Sequence, residues 1–208
     1  MSTMQPIRNI ATALITVFAV FAISGNALAD GAASAEDWSK LSAKKQTRLG
    51  LYMTAEQAYE HTMSNMDRTL FIDIRTPSEL NYLGAATVMD AHVPIAFMDS
   101  TGWNDKKHRY LRAENKNFVA DIEARLKQKG LTKDDTVILM CRSGKRSAKG
   151  VDILAAAGFT NVYSVVDSYE GDKAKEGKNK GQRTVNGWKN SGLPWTYSLD
   201  KDLMYITK

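Results

Sequence analysis

Beyond residue 50 the chain alternates two hydrophobic rhythms. Apolar and β-branched blocks, TLFIDI at 69–74, VMDAHVP at 88–94, TVILM at 136–140 and NVYSVV at 161–166, predict short buried strands. Between them apolar residues recur at helical spacing. Pro77 predicts the first turn of a helix running through Leu83. Phe118, Ile122 and Leu126 predict one face of a helix over 115–129, which Gly130 ends. A small-residue run at 148–158 (AKGVDILAAAG) predicts another, ended by Gly158. Nearer the N-terminus, 36–49 is helix-compatible, with Trp38, Leu41 and Leu49 as anchors, and Thr54-Ala-Glu-Gln predicts a capping box that starts a second helix. Strand alternating with helix implies an α/β fold: an open parallel sheet with helices on both faces and an N-terminal helical extension. In such sheets ligands bind beyond the carboxyl ends of the strands.

The first thirty residues follow a different pattern. Arg8 precedes fourteen uncharged, mostly apolar residues from Ile10 to Ile23, and small residues ending in Ala27-Leu28-Ala29 supply an A-x-A cleavage pattern. A helix of that length covers roughly 21 Å of a ~30 Å hydrocarbon core, too short for a comfortable span. Residues 1–29 therefore read as a secretory signal, with export to the periplasm in a Gram-negative source or secretion otherwise, and no stable membrane insertion after cleavage. No cysteine follows the cleavage pattern and no twin-arginine pair precedes the apolar run, so neither a lipoprotein nor a folded-export signal is expected.

Cleavage after Ala29 leaves 179 residues, and loss of Arg8 lowers the formal charge from +5 to +4. That mild excess, without clustered interleaved aromatics, argues against nucleic acid as a partner. With 43% hydrophobic and 25% charged residues the chain can bury a core. A single cysteine, Cys141, rules out an internal disulfide, and with His61, His92 and His108 scattered along the chain no metal-ligand spacing is present. Neither metal nor cofactor is called for. If Cys141 does chemistry, it does so through one sulfur.

Cys141 follows the TVILM block and opens Cys141-Arg142-Ser143-Gly144-Lys145-Arg146-Ser147, between a predicted strand and a predicted helix. A thiol is nucleophilic as thiolate, and an unperturbed pKa of about 8.5 keeps it mostly protonated at neutral pH. Arg142, Lys145 and Arg146, together with loop amides running into a helix N-terminus, supply what would stabilise both a thiolate and an anionic substrate. Gly144 permits a tight turn, and Ser147 is placed as helix N-cap or as an extra hydroxyl donor. A merely buried cysteine ending an apolar strand would not need such a following sequence.

Other pieces fall into order around this loop. Phe71-Ile72-Asp73-Ile74-Arg75 with Glu79 resembles a "D-x-R…E" element, and Ala91-His92-Val93-Pro94 resembles "H-I-P". The stretch 155–159 followed by 162–166 resembles "L…G-[FY]-x-x-V", and Gly187-Trp188 with Gly192-Leu193-Pro194 resembles a "W…G-[LY]-P" close. Together with the cysteine loop they cover about 55–195 and resemble the single-domain rhodanese sulfurtransferases. The resemblance implies that Cys141 is the nucleophile that takes a sulfane sulfur from a small anionic donor such as thiosulfate. Arg142, Ser143, Gly144, Lys145, Arg146 and Ser147 would cradle the persulfide and orient the donor, and cyanide or a thiol, including a partner protein's thiol, would remove the outer sulfur. Asp73 and Arg75 are supporting residues in this reading, a structural charged pair with Arg75 able to face the pocket.

The implied organisation is a signal at 1–29, a linker and helical extension at 30–53, a rhodanese-like domain at 54–200 and a C-terminal tail at 201–208. Two departures from the family pattern stand out. Gly84 is separated from His92-Val93-Pro94, so His92 is read as a hydrogen-bonded structural histidine. An enlarged basic loop occupies 172–187, where Lys173, Lys175, Lys178, Lys180 and Arg183 outnumber Asp172 and Glu176; it is read as a solvated loop, with a rim attracting anionic donors or an acidic partner as the functional alternative. Trp103, Trp188 and Trp195 are expected to pack.

Two rival functions are weighed. Cysteine phosphatases use C-x5-R whereas Cys141 to Arg146 is C-x4-R, and arsenate reduction needs a resolving thiol that the chain lacks. The second rival is an exported module that binds a sulfur species or carries a persulfide with little turnover of its own.

Overall fold

The computed structural model describes residues 37–206; the expected signal segment lies outside them. In chain order the elements are β1 (Tyr52–Met53), α1 (Ala55–Ser64), β2 (Thr69–Asp73), α2 (Pro77–Leu83), β3 (Ala85–Ala86), β4 (Ala91–His92), β5 (Ala96–Asn104), β6 (Arg109–Glu114), α3 (Phe118–Lys129), β7 (Thr136–Met140), α4 (Lys145–Ala156), β8 (Val162–Val165) and β9 (Trp195–Thr196). β1, β8, β7, β2 and β4 lie in that order in one sheet, all neighbours parallel.

Strand faces sort the core into two layers. Leu70, Ile72, Val137 and Leu139 pack with Phe118, Ile122 and Leu126 of α3 and with Val151 and Leu154 of α4. Phe71, Ile138 and Met140 face the other way, toward Ala55 and Ala58 of α1, Leu80 of α2 and Trp188. Burial on both faces is why these strands are continuous apolar runs. In the β2–β7 register Asp73 pairs with Met140, so both strands end at one level and their exit loops meet there. α1 and α2 each start with a capping box, Thr54 with Gln57 and Thr76 with Glu79.

Several sequence expectations change. The helix expected over 36–49 contracts to a 3-10 turn at Trp38–Lys40 followed by isolated turns. Here side chains compete for the backbone: the Thr47 hydroxyl accepts from Gly50 N–H, the Tyr52 hydroxyl from Thr47 N–H and the Asp152 carboxylate from Arg48 N–H. The strand expected over 88–94 shortens to Ala91–His92. The antiparallel β5–β6 hairpin was not anticipated. Its strands are mostly half-buried or exposed, so no apolar run marks it. At its tip Trp103, half exposed and not packed in the core, meets Tyr110 edge-on at 5.4 Å. The segment 201–206 folds back onto the domain: His92 N–H donates to Leu203 O at 2.8 Å, and Arg125 reaches the carbonyls of Asp202, Leu203 and Met204.

Candidate active site

The parallel register brings three strand exits together: Asp73 to Glu79 after β2, Cys141 to Gly144 after β7 and Asp167 to Glu170 after β8. Cys141 is 1% exposed. Gly144 N–H donates to its Sγ at 3.2 Å. Burial alone would raise the thiol's pKa, but the Arg146 charge, the Ser147 hydroxyl and the Ser143 and Ser147 amides outweigh it and hold the thiol below its ordinary value. The loop has room for this only because residue 144 is glycine. Its φ is +89°, and a Cβ there would lie 2.1 Å from Val166 O.

α4 starts earlier than the sequence suggested. Lys145 is its first residue and Gly144 its N-cap, so Ser147 is not the cap but a buried residue of the first turn. Its hydroxyl lies 3.3 Å from that of Ser168. Ser168, which sequence reasoning missed, ties the cysteine loop to the exit of β8. Its Oγ accepts from Cys141 N–H and Gly144 N–H, both at 3.1 Å, donates to Val165 O at 2.7 Å and stands 3.7 Å from Cys141 Sγ. The residue is fully buried, with φ +56°.

The three loop cations diverge. Arg146 forms a bidentate pair with Glu79 at 2.6 and 2.7 Å. Burial alone would raise the Glu79 pKa, but Arg146, the Thr76 amide and Arg112 lower it to about 2. Arg142 is more exposed and 3.7 Å from Glu170. Lys145 instead lines a separate cleft with Lys45, Asp172 and Lys173. Within the basic loop, Asp172 pairs with Lys45, and Arg183 donates to Gly171 O, its pKa lowered by burial and by the charge of Arg142.

Asp73 and Arg75 are wholly buried against each other, with nitrogen–oxygen distances of 2.6 to 3.0 Å. Arg75 also donates to Gly84 O and stacks on the Tyr169 ring at 3.7 Å. His92 Nε2 bonds Arg75 O at 2.8 Å, and burial lowers its pKa, favouring the neutral ring. These three residues brace the exit of β2. Asp167, buried beside Ser168, accepts from Ala55 N–H and Gly187 N–H, and burial pushes its pKa up to about 6. A signal for Ser168 and Asp167 existed: both directly follow a predicted parallel strand.

A parallel sheet with a buried thiol in a turn at the end of its middle strand, its pKa lowered by Arg146 and by loop and helix-start donors, defines an α/β protein with its one cysteine at the carboxyl end of the sheet. The family model described as Rhodanese-like domain matches residues 54–175, more than half of the chain, and the chain belongs to that family. It is 27% identical over 142 residues to an uncharacterized protein of Rickettsia prowazekii (strain Madrid E), covering 68% of this chain and 93% of that protein. It is 26% identical over 124 residues to the chloroplastic thiosulfate sulfurtransferase 16 of Arabidopsis thaliana, covering 60% of this chain and 77% of the relative. Among solved structures, Rv0390 from M. tuberculosis matches with a TM-score of 0.54 at 29% identity, covering 70% of this chain and 96% of that one.

Proposed function

We propose that the protein is a sulfurtransferase whose Cys141 carries sulfur as a persulfide. The observation that carries the reading is a fully buried thiol held below its ordinary pKa by Arg146 and converging loop donors. The Cys141 thiolate attacks the outer sulfur of thiosulfate: a new sulfur–sulfur bond forms, the donor's own bond breaks, and its electron pair leaves with sulfite. Cyanide or a thiolate then attacks the outer sulfur and returns the electron pair to Cys141. The Ser143, Gly144 and Ser147 amides offset charge as it moves between the sulfurs, and Arg142 orients the donor at the mouth.

Incubation of the mature protein with thiosulfate, followed by intact mass measurement, tests this. One added sulfur atom, removed by cyanide and absent from Cys141→Ser, is the expected result. No adduct, or an adduct that survives Cys141→Ser, overturns the mechanism, and Cys141-dependent phosphatase activity would favour the rival chemistry. We also place the protein outside the cytoplasm, and sequencing the exported form should find Asp30 at its N-terminus.

A further inference from the structure

Between α2 and the β5–β6 hairpin lies a cavity of about 330 Å³, the size of a small-organic-molecule site. It adjoins the cysteine loop, because Arg142 and Glu79, the partner of Arg146, both line it. Its charges do not balance. Arg142 is 3.7 Å from Glu170, but Arg109 and Arg112 face the cleft with Glu79 as its one lining carboxylate, 4.0 Å from Arg112 and already engaged by Arg146 in bidentate fashion. Burial and the nearby charges of Arg146, Arg109 and Arg142 pull the Arg112 guanidinium down to about 10, as expected for cations crowded without enough counter-charge. Thr76 and Ser78 add polar groups, and the remainder of the wall is apolar: Tyr82, Met98, Tyr110 and Leu111 contribute to it and are all more than a third exposed. Thiosulfate and cyanide have no apolar part to cover that surface. An organic thiol with a carboxylate does.

We infer that this cleft is the acceptor subsite and takes a small thiol with an apolar body and a carboxylate, the carboxylate bound by Arg109 and Arg112 and the sulfur directed toward the Cys141 loop. The inference rests on the persulfide reading above. In the transfer the acceptor thiolate attacks the outer sulfur of Cys141–S–SH; the new sulfur–sulfur bond forms as the old one breaks, giving R–S–SH and the Cys141 thiolate with total charge conserved. No external oxidant or reductant is needed.

The test compares off-loading of thiosulfate-loaded protein to 4-mercaptobenzoate and to its neutral amide, taking the ratio of the two rates within each protein so that a general loss of activity cancels. Wild type should favour the carboxylate about tenfold, the scale of one well-made charged contact, and Arg109→Gln and Arg112→Gln should each cut that preference to within about twofold. Binding is read separately by titrating in 4-(methylthio)benzoate, which cannot accept sulfur; it should bind wild type and weaken about tenfold in Arg109→Gln, with the uncharged Leu111→Asn weakening it through the apolar wall. Protein that thiosulfate does not load sinks the persulfide reading while the titration still reports on the cleft. Loaded protein with no carboxylate preference, or a preference and a titration unchanged in both arginine variants, overturns the subsite.

Discussion

Replacing Glu79 by Gln removes one charge while keeping the side chain's shape and an oxygen able to accept the capping hydrogen bond from Thr76 N–H. Its carboxylate is 13% exposed and its Arg146 partner 15% exposed, so solvent screens the pair little. Burial works against the charged form, and Arg146, the Thr76 amide and Arg112 overcome it, lowering the pKa from 4.5 to about 2. A carboxylate depressed in the folded state stabilises the fold fully above its unfolded pKa and loses that contribution as the pH falls through the folded one. At about 1.4 kcal/mol per unit, the contribution is about 3 kcal/mol at pH 7 and falls to about 1.5 kcal/mol at pH 3. Urea unfolding of wild type and Glu79→Gln at both pH values measures the gap, and taking the difference cancels carboxylates common to both. A gap below about 1 kcal/mol at pH 7, or one that does not shrink by pH 3, would refute the pairing argument.

Asp167 gives the opposite sign. Its pKa is raised from 3.8 to about 6, so a stability penalty builds up as the pH rises from about 3.8 to about 6 and stays level above that, and wild type should gain about 2.5 kcal/mol relative to Asp167→Asn as the pH falls from 7 to 4, a trend that matched urea titrations would contradict by running flat or reversed. Alkylation of Cys141 by iodoacetamide, followed against pH, should inflect below the ordinary thiol range, and Arg146→Gln should move the inflection upward; an unmoved inflection would remove Arg146 from the account. Gly144→Ala forces a left-handed alanine against Val166 O, and a loss of about 2 to 4 kcal/mol in thermal or urea unfolding together with failed sulfur loading is expected, whereas a stable, loadable variant would show that the turn can be remade.

What could be read from the sequence divides along a physical line. β2, β7 and β8 are buried on both faces, so their apolar runs name them, and Cys141 sits one residue past the end of a strand placed at Thr136–Met140 in both the sequence and the fold. The β5–β6 hairpin hides because a ribbon with few buried positions needs no hydrophobic run, and the 36–49 segment misleads because Ser, Thr and Gln there can serve either a helix or local turns. The long-range partners form a third group. Glu79 meets Arg146 across 67 positions and Ser168 meets Cys141 across 27, and neither pairing leaves a trace in local pattern.

Topology supplies the missing signal. Once three blocks are accepted as neighbouring parallel strands, the residues just past each of them must converge, and polar residues there are candidates before any contact is known. Applied to the exits of β2, β7 and β8, that rule selects 74–79, 141–146 and 166–170, which contain Glu79, Arg146, Ser168 and Glu170 as well as Cys141. It does not reach Arg109 and Arg112, which line the proposed acceptor cleft from a hairpin outside the parallel sheet. The exits of the parallel sheet thus hold Cys141 and its immediate partners, whereas the hairpin supplies one wall of the neighbouring cleft. On the acceptor subsite proposed above, exchanging the hairpin's surface residues should alter which thiols are used before it alters how Cys141 is loaded.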